Sequence, residues 1–460
     1  MFSLEQRLRQ VPWATLRHAY GSAEDTPQHL LDLLSDEDEI RNGALDRLWA
    51  SICHQGSVYE ASCAAVPFLI EILQQVSGTV KASILALLAG VAHTEWYAKR
   101  SQRGLTMNQD GASSYHEWWS FESFLQKDGN IYHQPEWLVK AHKLVGEGMP
   151  VYLTLLHTLD KEIVSSILDL LAGYREFQTE LVPELIALYT RVNDYPLQCS
   201  ILECLSALLD VDAPEWSLYH RYIVDQDAPP RLRFTAAESL AWYQPQSISS
   251  VTVALLTDIL LTCSLQPGQQ GFEGTYWSDL TLGTFIHALR ALCRLEPSLA
   301  TQALSRVLST AASGWIILDA IRVAEALLDV AFFGGWIENR DWMYQTNLLD
   351  DSEWSSSDLD EAFFRYDFGQ FSYPSSGSGS LSEPLINVIG YDEQEANRLS
   401  QLYKHINHQI LSDPQRLALE TIIHCDALWQ TSHNLLAIYG LPIEKEQAQA
   451  LLDKVSFLTP

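Results

Sequence analysis

The side chains that could carry out chemistry are few and scattered. Cys53 and His54 are adjacent, and a cysteine beside a histidine can form a nucleophile and its base. Adjacent residues on a helix point about 100° apart, so this pair is better interpreted as a coincidence. His54-Gln55-Gly56 instead predicts the end of a helix, with the glycine at the cap.

Two further groups could bind ligands. Trp118 and Trp119 follow His116 and Glu117, and they could line a small-molecule pocket or form a minor core under a long loop. The acidic run from Asp350 to Glu361 could bind calcium. Its spacing departs from the EF-hand pattern and it lacks the central glycine, which favours a solvated face or a contact with a basic protein.

No catalytic motif accompanies these residues. The sequence contains no H-E-x-x-H, G-x-S-x-G, Walker or dinucleotide-binding glycine motif. Its 7 cysteines are scattered and include no C-x-x-C pair, which predicts reduced core thiols rather than a disulfide framework or a zinc site. We therefore expect no enzymatic activity, no cofactor and no bound metal.

Apolar residues with a helical spacing recur along the chain. Leu197, Ile201, Leu202 and Leu205 lie at positions i, i+4, i+5 and i+8, on one face of a helix. A period of 34 or 35 residues separates several copies of this pattern, which is typical of a helical-repeat solenoid. The other copies are Ile40, Ala44, Leu45, Leu48; Val80, Ile84, Leu85, Leu88; Ile163, Ile167, Leu168, Leu171; Leu232, Ala236, Ala237, Leu240; Thr281, Phe285, Ile286, Leu289; Ile316, Ala320, Ile321, Ala324; and a degenerate copy at Leu417, Thr421, Ile422, Cys425.

The repeats and their interruptions predict a single all-α solenoid of about eight helix pairs with two long insertions. Its segments are N-terminal helix pairs over 26–95, an aromatic insertion over 96–137, central repeats over 138–333, an acidic aromatic insertion over 334–384 and a C-terminal helical cap over 385–460.

Local signals predict some helix boundaries. Thr26-Pro27 combines a capping residue with a first-turn proline, which is typical of a helix start. The second helix of the second pair is expected over 79–92. Pro67 and Pro183 are expected to lie inside helices and kink them.

The two insertions are unlike ordinary linkers because they are rich in aromatic residues. We expect them to supply a partner-binding surface, in which tryptophans provide affinity and carboxylates steer a basic protein. The predicted partner-binding residues are Trp96, Trp118, Trp119, Trp336, Trp342, Trp354, Asp350, Asp351, Glu353, Asp358, Asp360 and Glu361.

Charge and hydropathy narrow the classes of partner. The formal net charge is −29, and so acidic a surface repels the phosphate backbone of nucleic acids. Two interpretations of this acidity remain open: a solubilising feature alone, or a complement to a basic partner. No apolar run is long enough to span a membrane and residues 1–10 lack a signal-peptide core, so we expect a cytoplasmic protein with no membrane partner.

Particular segments resemble HEAT repeats. Residues 38–45 (Asp-Glu-Ile-Arg-Asn-Gly-Ala-Leu) and 230–237 (Pro-Arg-Leu-Arg-Phe-Thr-Ala-Ala) are similar to the second helix of that repeat, which implies a HEAT/armadillo-like α-solenoid. Other motifs are similar to a group of bacterial HEAT-repeat proteins, some of which act as toxin-immunity proteins. These motifs are Trp13, Leu16, His18, Ala19, Tyr20 and Gly21, together with segments 54–59, 65–69 and 439–442.

Two classes of function remain open. The resemblance implies a non-enzymatic protein-binding scaffold, with an immunity or inhibitor protein that neutralises a bacterial toxin as its specific form. The alternative is a HEAT-like enzyme acting on DNA, of the alkyl-base glycosylase type, or a general interaction or chaperone scaffold. The glycosylase alternative requires a basic groove, for which the sequence offers only Lys99, Arg100 and Arg103 near Trp96.

Overall fold

The protein is an all-α, HEAT-like solenoid, as its repeats predict. The computed structural model forms two compact units, 1–296 and 297–460. A single continuous array over the whole chain stays a prediction. The residues that the structure describes are 2–54, 58–106, 135–158, 160–265, 280–311, 317–333, 411–429, 436, 441 and 444–456.

Six helix pairs make up most of the described part of the first unit, after a short helix α1 (Leu4–Leu8) and a two-stranded hairpin of β1 (Arg17–His18) and β2 (Gly21–Ser22). The pairs, first helix before second, are α2 (Thr26–Asp32) and α3 (Asp38–Ile52); α4 (Glu60–Leu73) and α5 (Gly78–Thr106); α6 (Pro135–Gly146) with α7 (Met149–Leu155), and α8 (Lys161–Leu171); α9 (Gln178–Arg191) and α10 (Tyr195–Leu208); α11 (Trp216–Val224) and α12 (Pro230–Tyr243); α13 (Ser250–Leu265) and α14 (Leu280–Cys293).

The second helices lie side by side in one layer. Helix α3 contacts α5, α5 contacts α8, and the contacts continue from α8 to α10, α10 to α12 and α12 to α14. The first helices form the other layer, through contacts such as α2 with α4, α4 with α6 and α11 with α13. We call the series α3, α5, α8, α10, α12 and α14 the second-helix row.

The repeated apolar pattern forms the core between these layers. In α8, α10 and α12 all four residues of the pattern are buried, and Ile201, Leu205 and Leu240 are fully excluded from solvent. Full burial of one such side chain contributes about 1.5–3 kcal/mol. Not every residue of the other copies is buried: Ile40 remains 40% exposed near the start of α3, and Ile321 and Leu417 are half-buried.

Side chains at the helix starts also follow the repeat. Asp160 precedes α8 and accepts hydrogen bonds from the backbone N–H groups of Glu162 and Ile163, while Asp194 precedes α10 and accepts one from Leu197. These caps satisfy N–H groups that have no partner within the helix. Asp194 also forms an ion pair with Lys161, which joins one repeat to the next.

The boundaries of the first predicted insertion differ from expectation. Helix α5 continues to Thr106 instead of ending at residue 92, so residues 96–106 belong to a helix. Helix α6 begins at Pro135, and the Trp137 carbonyl accepts a hydrogen bond from Cys63 Sγ at 3.3 Å. Residues 107–134 lie outside the described part of the chain.

The start of α2 and the break between α6 and α7 can each be traced to particular residues. Thr26 is the first residue of α2 and does not cap it, because Asp25 occupies the preceding position and directs its carboxylate to His18. The break between α6 and α7 is at Gly148, where a Cβ atom would overlap the ring and hydroxyl of Tyr152. Pro67 and Pro183 lie inside α4 and α9, as predicted.

The described part of the second unit contains α15 (Pro297–Ala311), α16 (Ile317–Phe333), α17 (Asp413–His424), α18 (Asp426–Trp429) and α19 (Lys445–Ser456). Helices α15 and α16 form the seventh predicted pair, and α17 packs against both. Helix α19 packs on α17 and lies within the segment predicted as a C-terminal helical cap over 385–460.

The placement of the described cysteines agrees with the sequence. None of the described helices combines the length and the apolar character needed to cross a lipid bilayer. The buried cysteine thiols, which confirm the predicted core placement, are Cys53, Cys63, Cys199, Cys204, Cys293 and Cys425.

Two isoleucines at the same repeat position provide a test of this packing. Ile163 is 6% exposed and Ile40 is 40% exposed. We expect Ile163→Ala to lower the free energy of unfolding by about 2–5 kcal/mol, because it leaves a cavity between the layers. Ile40→Ala should lower it by less than about 1 kcal/mol. Urea denaturation followed by far-ultraviolet circular dichroism measures both, and equal losses would contradict the assignment of the core.

Candidate functional site

Most predicted partner-binding residues cannot be placed. Trp96 lies in α5, but its side chain is not described. The remaining eleven lie outside the described ranges, so their role stays a prediction; they are Trp118, Trp119, Trp336, Trp342, Trp354, Asp350, Asp351, Glu353, Asp358, Asp360 and Glu361. The candidate site described below is formed by different residues.

Ionisable side chains occupy one repeated position of the second-helix row. Asp169, Glu203, Glu238 and His287 each lie six residues after the start of the apolar pattern, in α8, α10, α12 and α14 respectively. Their separations are 34, 35 and 49 residues, and the last becomes 35 when the 14 residues of 266–279 are subtracted. We call these four residues the ionisable row.

Helix geometry accounts for this placement. At about 100° per residue, position i+6 points roughly opposite to the centre of the stripe formed by i, i+4, i+5 and i+8. The ionisable row therefore lies on the side of each second helix that faces away from the first helices. Since packed helices are about 8–10 Å apart, neighbouring carboxylates can act on one another's charge, as Glu238 and Asp169 do on Glu203.

His287 and Glu238 form the best defined contact of the row. His287 Nδ1 lies 2.6 Å from Glu238 Oε1, and both side chains are mostly buried. Burial opposes a charge on His287, but the hydrogen bond and negative charge of Glu238 outweigh it and raise the pKa of the imidazole above its usual value. The pair therefore favours an imidazolium against a carboxylate.

Glu203 lies at the centre of the row and has no comparably close base. Burial raises the pKa of its carboxyl to about 7, and the negative charges of Glu238 and Asp169 act in the same direction. The positive charges of Arg231 and His287 lower it only in part. Asp169 is more exposed, yet the removal of water around its carboxyl raises its pKa to about 6.

Buried and aromatic groups flank the row. Arg231, in the first turn of α12, is 8% exposed and interacts with Glu203 and with Cys199. Burial raises the pKa of the Cys199 thiol to about 12, so this group is uncharged near neutral pH. Beyond His287, the Arg294 guanidinium lies 3.8 Å from the centre of the Trp242 ring, a cation–π contact. The acidic part of the row is thus followed by bases.

A second polar cluster connects the motifs of the N-terminal segment. Asp25 Oδ1 lies 3.0 Å from His18 Nε2, and Asp25 Oδ2 lies 3.5 Å from His29 Nε2. The Tyr20 N–H donates to His18 Nδ1, so in a neutral ring the proton is on Nε2 and points to Asp25. Burial acts to raise the pKa of Asp25, but the hydrogen bond from His18 and the nearby imidazoles hold it below its usual value. This cluster holds the hairpin, in which Gly21, the first residue of β2, has a φ of +118°.

The adjacent residues Cys53 and His54 have separate surroundings in the structure. Burial raises the pKa of the Cys53 thiol to about 12, which leaves almost no thiolate to act as a nucleophile. His54 instead contacts Tyr20, with Nδ1 3.4 Å from the hydroxyl. Helix α3 ends at Ile52 with Cys53 as its cap, and Gly56 lies outside the described residues. Within the described ranges, no three His, Cys, Asp or Glu side chains are arranged to hold a metal ion.

The sequence contains a signal for the ionisable row that the apolar pattern alone does not reveal. Reading position i+6 of every repeat would align Asp169, Glu203 and Glu238 at once. His287 would join them only after residues 266–279 are removed from the count. The pairing of Glu238 with His287 depends on side-chain geometry and has no signal in the sequence.

Comparisons with known proteins show likeness at the level of fold. The sequence matches no protein-family model and no curated protein. Similar solved structures include an engineered protein (TM-score 0.32, 15% identity, 94% of this chain and 99% of that chain) and importin beta (TM-score 0.32, 14% identity, 95% and 62%). Kap121p bound to RanGTP is also similar (TM-score 0.29, 14% identity, 95% and 44%). The chain thus spans less than two thirds of the importin beta and Kap121p chains.

The raised pKa of Glu203 predicts a defined dependence of stability on pH. Because the folded state binds this proton more tightly than the unfolded state, whose pKa is near 4.5, the free energy of unfolding falls as pH rises from about 4.5 to 7. Glu203→Gln removes this loss. We expect the variant to match the wild type near pH 4.5 and to exceed it at pH 8 by up to about 3 kcal/mol, at 1.4 kcal/mol per pH unit.

Urea denaturation at pH 4.5, 6, 7 and 8 measures this difference. Glu162→Gln is the matched control, because Glu162 is an exposed residue of the same class in the first turn of α8. His287, with its raised pKa, adds a loss of stability above about pH 6.5 in all three proteins. A Glu203→Gln effect that is the same at pH 4.5 and pH 8 would show that the carboxyl titrates normally.

Proposed function

We propose that this chain is a non-enzymatic scaffold that binds a basic protein on the second-helix row. The observation that carries the proposal is the ionisable row, in which Asp169, Glu203 and Glu238 occupy the same position on three adjacent helices. Stacked helical repeats commonly bind partners along such an extended face. Glu238 already contacts His287, so Asp169 and Glu203 are the carboxylates of the row that can contact basic side chains of a partner.

The charge of the whole chain supports the same class of partner. A net charge of −29 attracts basic proteins over long distances and raises their association rate at low salt. It also disfavours the phosphate backbone of DNA, which a glycosylase-type enzyme must approach. The carboxylates of the row would then set the orientation of a protein that has been attracted by the overall field.

The more specific form of the proposal is an immunity or inhibitor protein that neutralises a cognate bacterial toxin. The N-terminal motifs support it, because they are similar to motifs of bacterial HEAT-repeat proteins that include immunity proteins. Several of these residues form one cluster, in which His18 contacts Asp25 and Tyr20, and Tyr20 contacts His54. In this view the tryptophans of the two insertions provide most of the affinity, since buried aromatic residues dominate tight protein interfaces. The carboxylates of the row would orient the partner and raise the rate at which it associates.

A capture experiment tests this function. We expect the tagged protein, co-expressed with the product of the neighbouring gene, to elute as a stoichiometric complex in size-exclusion chromatography. Asp169→Asn with Glu203→Gln should weaken capture by about tenfold at low salt, equivalent to 1.4 kcal/mol, and by less at high salt. Growth rescue in cells producing the partner then separates toxin neutralisation from simple binding.

Two further variants complete the design. Glu162→Gln with Glu180→Gln changes the net charge equally at exposed positions outside the row, so it should leave capture nearly unchanged. Trp118→Ala with Trp119→Ala should weaken capture even at high salt. If the row variant and its control weaken capture to the same extent, only overall charge matters and the row is not the binding face.

A further inference from the structure

Two side-chain contacts of different kinds join α14 to α12. His287 Nδ1 lies 2.6 Å from Glu238 Oε1. The guanidinium of Arg294, which directly follows α14, lies 3.8 Å from the centre of the Trp242 ring. Glu238 and Trp242 are four residues apart and therefore share one face of α12. Both contacts thus belong to one seam between the fifth and sixth helix pairs, which we call the α12–α14 seam.

The two contacts respond differently to pH. An arginine side chain stays charged far above neutral pH, so the contact of Arg294 with Trp242 is constant. An unperturbed histidine titrates near pH 6.5. Burial opposes a charge on His287, but the hydrogen bond and negative charge of Glu238 outweigh it and raise the pKa of the imidazole. His287 is therefore the member of the seam that changes charge just above neutral pH.

Charged groups act on His287 from three helices of the row. Glu238 contacts it from α12 and Glu203 acts on it from α10, and both favour the imidazolium. Arg290, on α14 itself, disfavours it. Helix α13 packs against α14 and carries a single charged residue, Asp258, which is exposed. When His287 loses its proton, the mostly buried carboxylate of Glu238 therefore loses the positive charge that it contacts.

We propose that His287 and Glu238 form a proton-dependent latch, which holds the sixth helix pair on the fifth at slightly acidic and neutral pH and loosens at alkaline pH. With the imidazolium, the contact is a charge-assisted hydrogen bond. After deprotonation, only a neutral N–H remains to donate to the carboxylate, and such a bond is about half as strong. The latch does not require the proposed binding function.

The position of the latch gives it a local effect. Helices α13 and α14 form the last pair of the first unit, which ends at residue 296. This pair therefore packs against one neighbouring pair of its unit, and a terminal repeat opens more easily than an internal one. Because the contact of Arg294 with Trp242 persists, the α12–α14 seam loosens without separating.

Hydrogen exchange followed by mass spectrometry tests the latch in the full chain. The readout is the equilibrium constant for opening of α14, obtained after correction for the intrinsic pH dependence of amide exchange. We expect this constant to rise about tenfold between pH 6 and pH 8.5, as a charge-assisted hydrogen bond becomes a neutral one. The opening constant of α4, which lies outside the row, should change by less than about twofold.

Four variants separate the latch from other causes of this rise. His287→Gln removes the titrating group, so its opening constant should match the alkaline value of the wild type at both pH values. His287→Lys keeps a positive charge over this range, so its constant should stay low at both. His220→Gln, at an exposed histidine of α11, is the matched control and should keep the tenfold rise. Glu203→Gln should also keep it, because the contact of His287 with Glu238 remains.

Three results would overturn the proposal. The first is a wild-type opening constant of α14 that is the same at pH 6 and pH 8.5. The second is an equal rise in α4, which would mean that alkaline pH opens the whole unit rather than the α12–α14 seam. The third is a tenfold rise that persists in His287→Gln, which would assign the pH dependence to another group.

Discussion

The structure depends on the fact that no second helix can bury its apolar stripe alone. Ile201, Leu202 and Leu205 are excluded from water only because α9 lies behind α10 and the neighbouring second helices lie beside it. This packing requires each repeat to present its stripe at the same angle as the previous one. The shared angle is consistent with the equivalent caps Asp160 and Asp194 at the starts of α8 and α10, which the ion pair of Asp194 with Lys161 joins.

The alignment of the apolar stripes also aligns charged residues on the other side of the second helices. Once the apolar stripes are aligned, position i+6 is aligned as well, and carboxylates at that position become neighbours. Their repulsion is relieved differently in each repeat. Glu238 is neutralised by His287, Asp169 is partly hydrated, and Glu203 is left to take up a proton near neutral pH. The row is therefore a set of coupled groups, in which a change at one alters the charge of the others.

Periodicity predicts the core well because burial repeats with the helices, as the four residues of each pattern in α8, α10 and α12 show. It is wrong about Ile40, whose position in the first of the repeats leaves part of its surface uncovered. The extension of α5 to Thr106 could not be predicted, because residues 93–106 lack the repeated pattern. The apolar pattern does not reveal the row because position i+6 lies outside that pattern, and residues 266–279 hide the final interval.

A purely structural role does not account for Glu203. Several other carboxylates of the first unit are stabilised by a dedicated base, such as Asp194 by Lys161 and Glu238 by His287. A half-buried carboxyl with two acidic neighbours instead destabilises the ionised fold, and an apolar or amide side chain at this position would remove that cost. The cost is offset when a cation arrives from outside the chain, because the same desolvation that penalises the bare carboxylate strengthens its contact with a lysine or arginine. The arrangement is thus unfavourable in the isolated scaffold and favourable in a complex, which is the property required of a binding face.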